Sequence, residues 1–454
     1  MNRPGYTRRD LLKTLGAGAA ALTIPAGEIS AEEKKPSENV RKTDVLVCGG
    51  GPAGVAAAIM AARQNAKVLL IERYGRLGGM AVQARVSPLM GNAKSDFVDE
   101  VLKYIGGRKP NLEQLDIRYA AMVQKAGADI LLHAWAADML MDGICVSGVR
   151  LLTKGGSIAV KAAVTIDATG DGDIAAMAGA EFEKGRPGNG LMQPASIMFT
   201  IENVDEKKAL LCDSEEQARN IHLSEGSWEE IVTKGQKNSE LPTTVGVIRA
   251  YPADKPGKRI INATQVNNVD GTNADDLTRA ELEGRNQANQ VVAFLKKHAP
   301  GYENSYISNM PAIVGIRETR RILGTAYLTK DDLINGRKWS DAIVRDAKFS
   351  MDIHNPAGSG QAEGQTAGSQ GRSIKVKPYD IPYGCLIPRQ IDGLLMAGRC
   401  ISGSHEAIAS YRVQCIAMAT GAAAGAAAAI VAKKNILPRN IDPAEIQKIL
   451  GIKV

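Results

Sequence analysis

The stretch that decides the fold runs from Asp44 to Glu72, DVLVCGGGPAGVAAAIMAARQNAKVLLIE. Asp44–Cys48 is a short apolar run of strand character and Val68–Ile71 is a second. Between them Gly49, Gly51 and Gly54 form G-x-G-x-x-G, followed by a helix-compatible run, Val55–Gln64. In a β-α-β unit that holds a dinucleotide, the first glycine permits the turn off the strand. The second lets a pyrophosphate approach the backbone, and the third lets helix and strand pack closely. The N-terminal amides and partial positive charge of that helix favour phosphate. Glu72 ends the second strand, where an acid can hold the hydroxyls of an adenosine ribose. A lone glycine triplet is weak evidence, but here strand, helix, second strand and acid fall in register.

Working outward, the pattern of a strand entering a glycine turn recurs twice. Val164–Asp173 reads VTIDATGDGD and Leu394–Ser402 reads LLMAGRCIS, while Leu77-Gly78-Gly79 lies just past Glu72. Together these segments resemble flavoproteins of the glutathione-reductase and fumarate-reductase superfamily, in which FAD lies extended across the domain. The resemblance implies an α/β fold: a Rossmann-like FAD-binding domain of the glutathione-reductase type with an inserted α+β cap or substrate domain. It implies FAD contacts at Gly49, Gly51, Pro52, Ala53, Gly54, Glu72 and Arg73, then at Gly78, Gly79 and Ala134. The second segment adds Ala168, Thr169, Gly170 and Asp171; the third adds Gly398 and Arg399. Val413 opens a helix expected to point its N-terminus at the flavin, where a helix dipole stabilises negative charge.

A closer resemblance is to a bacterial family of FAD-dependent oxidoreductases, some of whose members carry the name xanthan lyase. It rests on GGGPAGVAAA, ATGDGDIAAMAGA, LMQPASIMFT, VDGTNADDLTRAELEGR, IRETRRILGTAYLT, DIHNP, YDIPYGCLIP and MAGRCISGSHEAIASYRVQ, which span most of the chain in order. One fold hosts many reactions, so fold and cofactor follow from this more firmly than substrate.

The expected organisation is a signal peptide over 1–31, a polar linker over 32–43, and the FAD domain in two parts, 44–200 and 373–435. A cap fills 201–372 and a C-terminal tail 436–454. Met122–Ala134 and Ile144–Val164 have the texture of strands, Ala274–His298 that of a helix, and the Gly/Gln/Ser-rich stretch 358–371 that of a surface loop near the cleft. The run 413–432 is long and apolar, but its Ala and Gly partition weakly into lipid, so a buried helix is expected and not a stable membrane span.

Residues 7–13 read TRRDLLK, followed by an apolar stretch to Ala26 and a small residue at Ala31. This is the order of a signal peptide. The pair Arg8-Arg9 resembles the twin-arginine consensus, with Leu11 where Phe is more usual. The resemblance implies export by the twin-arginine translocase to the periplasm or another extracytoplasmic space. A flavoprotein has a physical reason to travel folded, because its nucleotide is loaded beforehand.

The formal charge is +7, without a dense basic run, and so points to no nucleic-acid surface. The six cysteines include no C-x-x-C pair and no Cys/His cluster of zinc spacing, so no metal site and no dithiol relay is expected.

For the chemistry, His405 in SGSHEA follows the third FAD segment and His354 sits in DIHNP; either can take a proton while flavin takes a hydride. Arg317, Arg320 and Arg321 in GIRETRRILG, and Arg399 and Arg412 around His405, can hold a carboxylate or stabilise anionic flavin. Of these, Arg320 and Arg412 are taken with the two histidines as the catalytic set. Tyr383 and Tyr411 are weaker candidates for cofactor or substrate contact. No histidine occurs between Gly54 and Tyr119, where a covalent flavin link would be expected from fumarate-reductase relatives, so FAD is expected to be non-covalent. A second nucleotide fingerprint is absent from the sequence. The expected reaction is therefore a dehydrogenase or oxidase passing a hydride between a small organic substrate and flavin N5, with a small acceptor, quinone or redox protein as second electron partner. Alternatives are an enoate reductase fed by an external donor, or a non-catalytic flavin-binding envelope protein.

Overall fold

A computed structural model describes residues 39–359 and 374–453. The expected export signal and most of the glycine-rich stretch 358–371 lie outside the described residues. β1 (Asn39–Cys48) leads through the glycine loop into α1 (Pro52–Arg63) and β2 (Val68–Ile71). The two strands run parallel, with Val45 opposite Val68 and Cys48 opposite Ile71, so both end at the loop. They are apolar on both faces because the sheet is covered on both. α2 (Leu112–Lys125), β3 (Asp129–Leu131), β4 (Ala134–Asp142), β5 (Cys145–Thr153) and β6 (Gly156–Asp167) follow. The main sheet has the order β3–β2–β1–β6–β5–β4. β3, β2, β1 and β6 are parallel, while β5 and β4 return antiparallel.

Two expectations change here. Met122–Lys125 closes α2 and is not strand, since Leu115, Tyr119, Met122 and Val123 are buried at helical spacing. Residues 39–43 are not linker: they extend β1 along β6, Asn39 opposite Ile158 and Thr43 opposite Ala162.

A second core gathers between Ala195 and Val314. It packs the antiparallel sheet β8–β9–β7–β10 against one long helix. These elements are β7 (Met198–Glu202), β8 (Arg249–Pro252), β9 (Arg259–Asn262), α3 (Ala274–His298) and β10 (Tyr306–Asn309). Ile322, Leu333, Ile343 and Ile353 belong to the first core, so the cap ends earlier than its expected boundary at 372. The boundary moves because these apolar side chains bury against the nucleotide-binding layers.

The chain returns with β11 (Leu394–Met396), which pairs in parallel with the end of β6. α4 (His405–Tyr411), α5 (Gln414–Lys434) and α6 (Pro443–Ile449) complete the fold. α5 is apolar and long enough to cross a membrane, yet 94% of its most apolar window is buried inside the protein. Its composition explains how: a Cβ on Gly421 would stand 2.0 Å from the carbonyl oxygen of Ala53, and one on Gly425 2.3 Å from that of Ala57. Glycines one turn apart let α5 lie directly on the backbone of α1. The expected tail is ordered too. Ile441 and Ile446 are buried, and Gln447 donates to the carbonyls of Ser340 and Ala342.

Candidate active site

A cavity of about 440 Å³ opens where β1, β6 and β11 end and the cap begins. Gly49, Gly51, Pro52 and Ala53 line it from the first segment, Ala168, Thr169 and Gly170 from the second, and Gly398 and Arg399 from the third. Three glycine turns distant in sequence thus face one space. A Cβ on Gly51 would meet only the Cα of Gly79, at 3.9 Å, and otherwise open cavity, which is the cradle a pyrophosphate needs. Gly54 has the packing role instead, since its Cβ would stand 1.8 Å from the carbonyl oxygen of Gly49. No side chain caps α1 or α5, and the N-cap residues Gly51 and Val413 both line the cavity. Two positive dipole ends therefore serve it, although at α5 the Cys415 amide is taken by the Met90 carbonyl. These residues fit FAD.

Glu72 is buried on the wall. Its two oxygens accept the amides of Gly50 at 2.7 Å and Tyr74 at 2.9 Å, tying the phosphate loop to the end of β2 and leaving lone pairs for a ribose. Arg73 and Gly79 line the same space, while Gly78 shapes the wall by donating its amide to the Gly50 carbonyl at 2.7 Å. Ala134 lies in a small side pocket with Cys48, Glu72 and Trp135. Asp171 does not line the cavity. Its Oδ1 accepts Arg399 Nη2 at 2.5 Å and Thr319 Oγ1 at 3.0 Å, while Arg399 Nε donates to the Gly170 carbonyl, so this pair joins the second segment to the third. Asp167, not anticipated, folds the second turn by accepting Thr169 Oγ1 at 2.6 Å and the Ala175 amide at 2.9 Å. Burial pushes its carboxyl up to about 6 despite those bonds.

The cap-side wall carries His354, Asp352, Arg317, Arg412 and, from β8, Arg249 and Tyr251. His354 Nε2 lies 3.5 Å from Asp352 Oδ2. Burial, with Arg317 close by, pushes the imidazole down to about 4, so it is neutral at pH 7 and able to accept a proton. Burial alone would raise the Asp352 carboxyl, but His354, Arg412 and Arg317 outweigh it and hold it well below its usual range. Burial and the neighbouring Arg412 bring Arg317 down to about 9. Arg412 donates to Gln193 Oε1 at 2.7 Å and to the Asp352 carbonyl at 2.9 Å.

Other expected site residues lie elsewhere. His405 is the first residue of α4, fully buried, and outside the cavity lining. Its Nδ1 bonds Glu318 Oε1 at 2.9 Å, and the same carboxylate takes Arg321 Nη1. A helix start, not a loop, follows the third segment because Ser404 caps it through the Ala407 amide. Arg320 bonds the Asp171 carbonyl at 3.0 Å and Asp173 Oδ1 at 2.9 Å, away from the lining. Tyr383 and Tyr411 are buried with their hydroxyls on the Pro438 and Ile401 carbonyls. None of the six cysteines is in a disulfide, and no group of metal-ligating side chains occurs among the described residues. Asp352 was visible in DIHNP beside His354, whereas Arg249 and Tyr251, on an ordinary cap strand, carried no local signal.

The family described as FAD dependent oxidoreductase matches residues 44–450. Among curated proteins, the NADH:fumarate oxidoreductase of Klebsiella pneumoniae (strain 342) is 32% identical over 145 residues, covering 29% of this chain and 15% of that protein. Glutathione reductase of Debaryomyces hansenii is 48% identical over 54 residues, 12% of this chain and 11% of that protein. Thiamine thiazole synthase of Aeropyrum pernix is 29% identical over 148 residues, 28% and 55% respectively. The chain thus spans about half or less of each of these relatives. Among solved structures, a geranylgeranyl bacteriochlorophyll reductase-like protein of Thermoplasma acidophilum matches 90% of this chain and 83% of its own, at 16% identity and a TM-score of 0.47.

Proposed function

This chain belongs to the FAD-dependent oxidoreductase family and is an enzyme that uses FAD, and from that premise we propose that it oxidises or reduces a small organic substrate held against the cap-side wall, with His354 handling the proton. Gly51, Ala53 and the α1 N-terminus would hold the pyrophosphate, Glu72 the ribose, and the α5 N-terminus the electron-rich end of the flavin. When bound, FAD supplies the two-electron chemistry, taking up or giving a hydride at N5. His354, neutral and beside an ionised Asp352, accepts the proton that a substrate O–H or N–H loses as its neighbouring C–H is oxidised, and returns it in the reverse direction. The observation that carries this reading is that His354 and the three glycine turns line one cavity. A small acceptor, quinone or redox protein serves as the second electron partner in this scheme, FAD is held without a covalent link, and the enzyme works outside the cytoplasm.

Anaerobic mixing of the yellow protein with panels of alcohols, amines and acids tests the chemistry. Bleaching of the flavin identifies the substrate class, and reoxidation of reduced flavin by an unsaturated acid identifies the reverse direction. A flavin inert to every compound would favour a binding role. For export, Arg8→Lys with Arg9→Lys should leave folded precursor in the cytoplasm, and normal processing of that variant would point to another route.

A further inference from the structure

Three arginines converge on the cap-side wall from separate parts of the chain. Arg249 comes from β8, Arg317 from the segment after β10, and Arg412 from the end of α4. Arg317 Nη1 donates to the Pro194 carbonyl at 2.7 Å, and Arg412 uses neutral acceptors apart from the Asp352 carboxylate, 3.9 Å away. Asp352 is itself shared, facing His354, Arg317 and Arg412. Asp213 also lines the cavity, on the wall it shares with a second chamber of about 430 Å³. The cations work against one another: Arg412 and Arg249 both weigh on Arg317, and Arg317 and Arg249 on His354. Like charges held together under burial are stabilised by an anion, and a guanidinium fork matches a carboxylate in two parallel hydrogen bonds. Arg317 and Arg249 both act on His354, so an anion seated on this wall lies near the group that takes the proton.

We infer that Arg317 and Arg412, reinforced by Arg249, bind the carboxylate of a small organic acid whose reacting carbon lies within a few bonds of that carboxylate. This deepens the hydride-transfer reading and rests on it for the position of the reacting carbon. In turn, the bound carboxylate offsets the arginine charge at His354 and makes it a stronger base when substrate is present.

Calorimetric titration of the FAD-loaded protein tests the site without turnover. The probes are acetate, propionate, succinate and benzoate, each against its amide, with sulfate as an inorganic competitor. At least one carboxylate should bind ten times more tightly than its amide, and Arg317→Gln should weaken that binding at least tenfold with FAD content and thermal unfolding preserved. Arg412→Gln should do the same if Arg317→Gln loses FAD. Carboxylates binding no better than amides, affinity unchanged in both variants, or sulfate binding as tightly as any carboxylate would each overturn the inference. Carboxylate binding without electron exchange between any acid and the flavin would keep this site and sink the hydride-transfer reading. Flavin reduction by neutral alcohols alone would do the opposite.

Discussion

Two buried histidines, each facing a carboxylate and an arginine, differ in what lies beside them. His405 sits against Glu318 and Arg321 with all three side chains sealed from solvent. Arg321 also reaches the carbonyls of Gly403 and Gly185, so the cluster ties α4 to the strand at 320–322 and to the loop after 184. His354 sits against Asp352, Arg317 and Arg412 on the wall of a cavity. The same residue types thus make a sealed clamp in one place and, in the other, line the cavity where proton transfer is proposed. A saturated network is inert, whereas one that opens on a cavity can engage a ligand. The two are linked, because Glu318 accepts the amide of Gln193, whose side-chain oxygen takes Arg412 and the His354 amide.

The contrast can be broken most sharply at His354. His354→Ala should keep fold and FAD yet slow flavin reduction by ~10²–10⁴-fold in stopped-flow measurements. In the native enzyme kcat/KM should fall as pH drops through about 4, where the imidazole facing Arg317, Arg249 and Asp352 becomes protonated, and the variant should lose that limb. An acid limb that survives in the variant would move the proton-handling role elsewhere. Next comes Glu318→Gln, which leaves the buried Arg321 charge only its longer ion pair to Glu183, at 3.4 Å. Denaturant unfolding should show a loss of about 3–5 kcal/mol. His405→Ala should cost about 1–3 kcal/mol by leaving part of that cluster unsatisfied, while molecules that retain FAD reduce at the native rate. If His405→Ala slows reduction as much as His354→Ala, the distinction between clamp and site fails. The smallest effect is expected at Arg320, whose bond to Asp173 is partly exposed. Arg320→Ala should change stability by about 0–1 kcal/mol and leave flavin reduction unaltered.

Sequence neighbourhood misled in one place for a specific reason. His405 lies a few residues from Gly398, which lines the cavity, and eight before Val413, which also lines it. Proximity to both suggests a position between them in space. Ser404 instead caps a short helix, and α4 carries His405 into the interior before the chain returns to the cavity at Arg412. The cap boundary was displaced for a related reason. Residues 320–353 follow the cap in sequence but bury their apolar side chains in the first core, and the amino-acid pattern does not say which of two cores an apolar residue joins.

What the sequence by itself determined is the nucleotide end: strand, glycine turn, helix, strand and acid from Asp44 to Glu72, and the small residues that let α5 lie on α1. These features are legible because backbone conformation and close approach depend on the local residue, where a missing Cβ has the same consequence in any context. Only the tertiary structure decided the cap-side wall. Arg249, Arg317, His354 and Arg412 come from four separate segments, and no periodicity relates them. Whether each side chain meets a cavity or a buried partner follows from how the cap packs against the FAD domain, because burial and the charges it brings together exist only once the chain has folded.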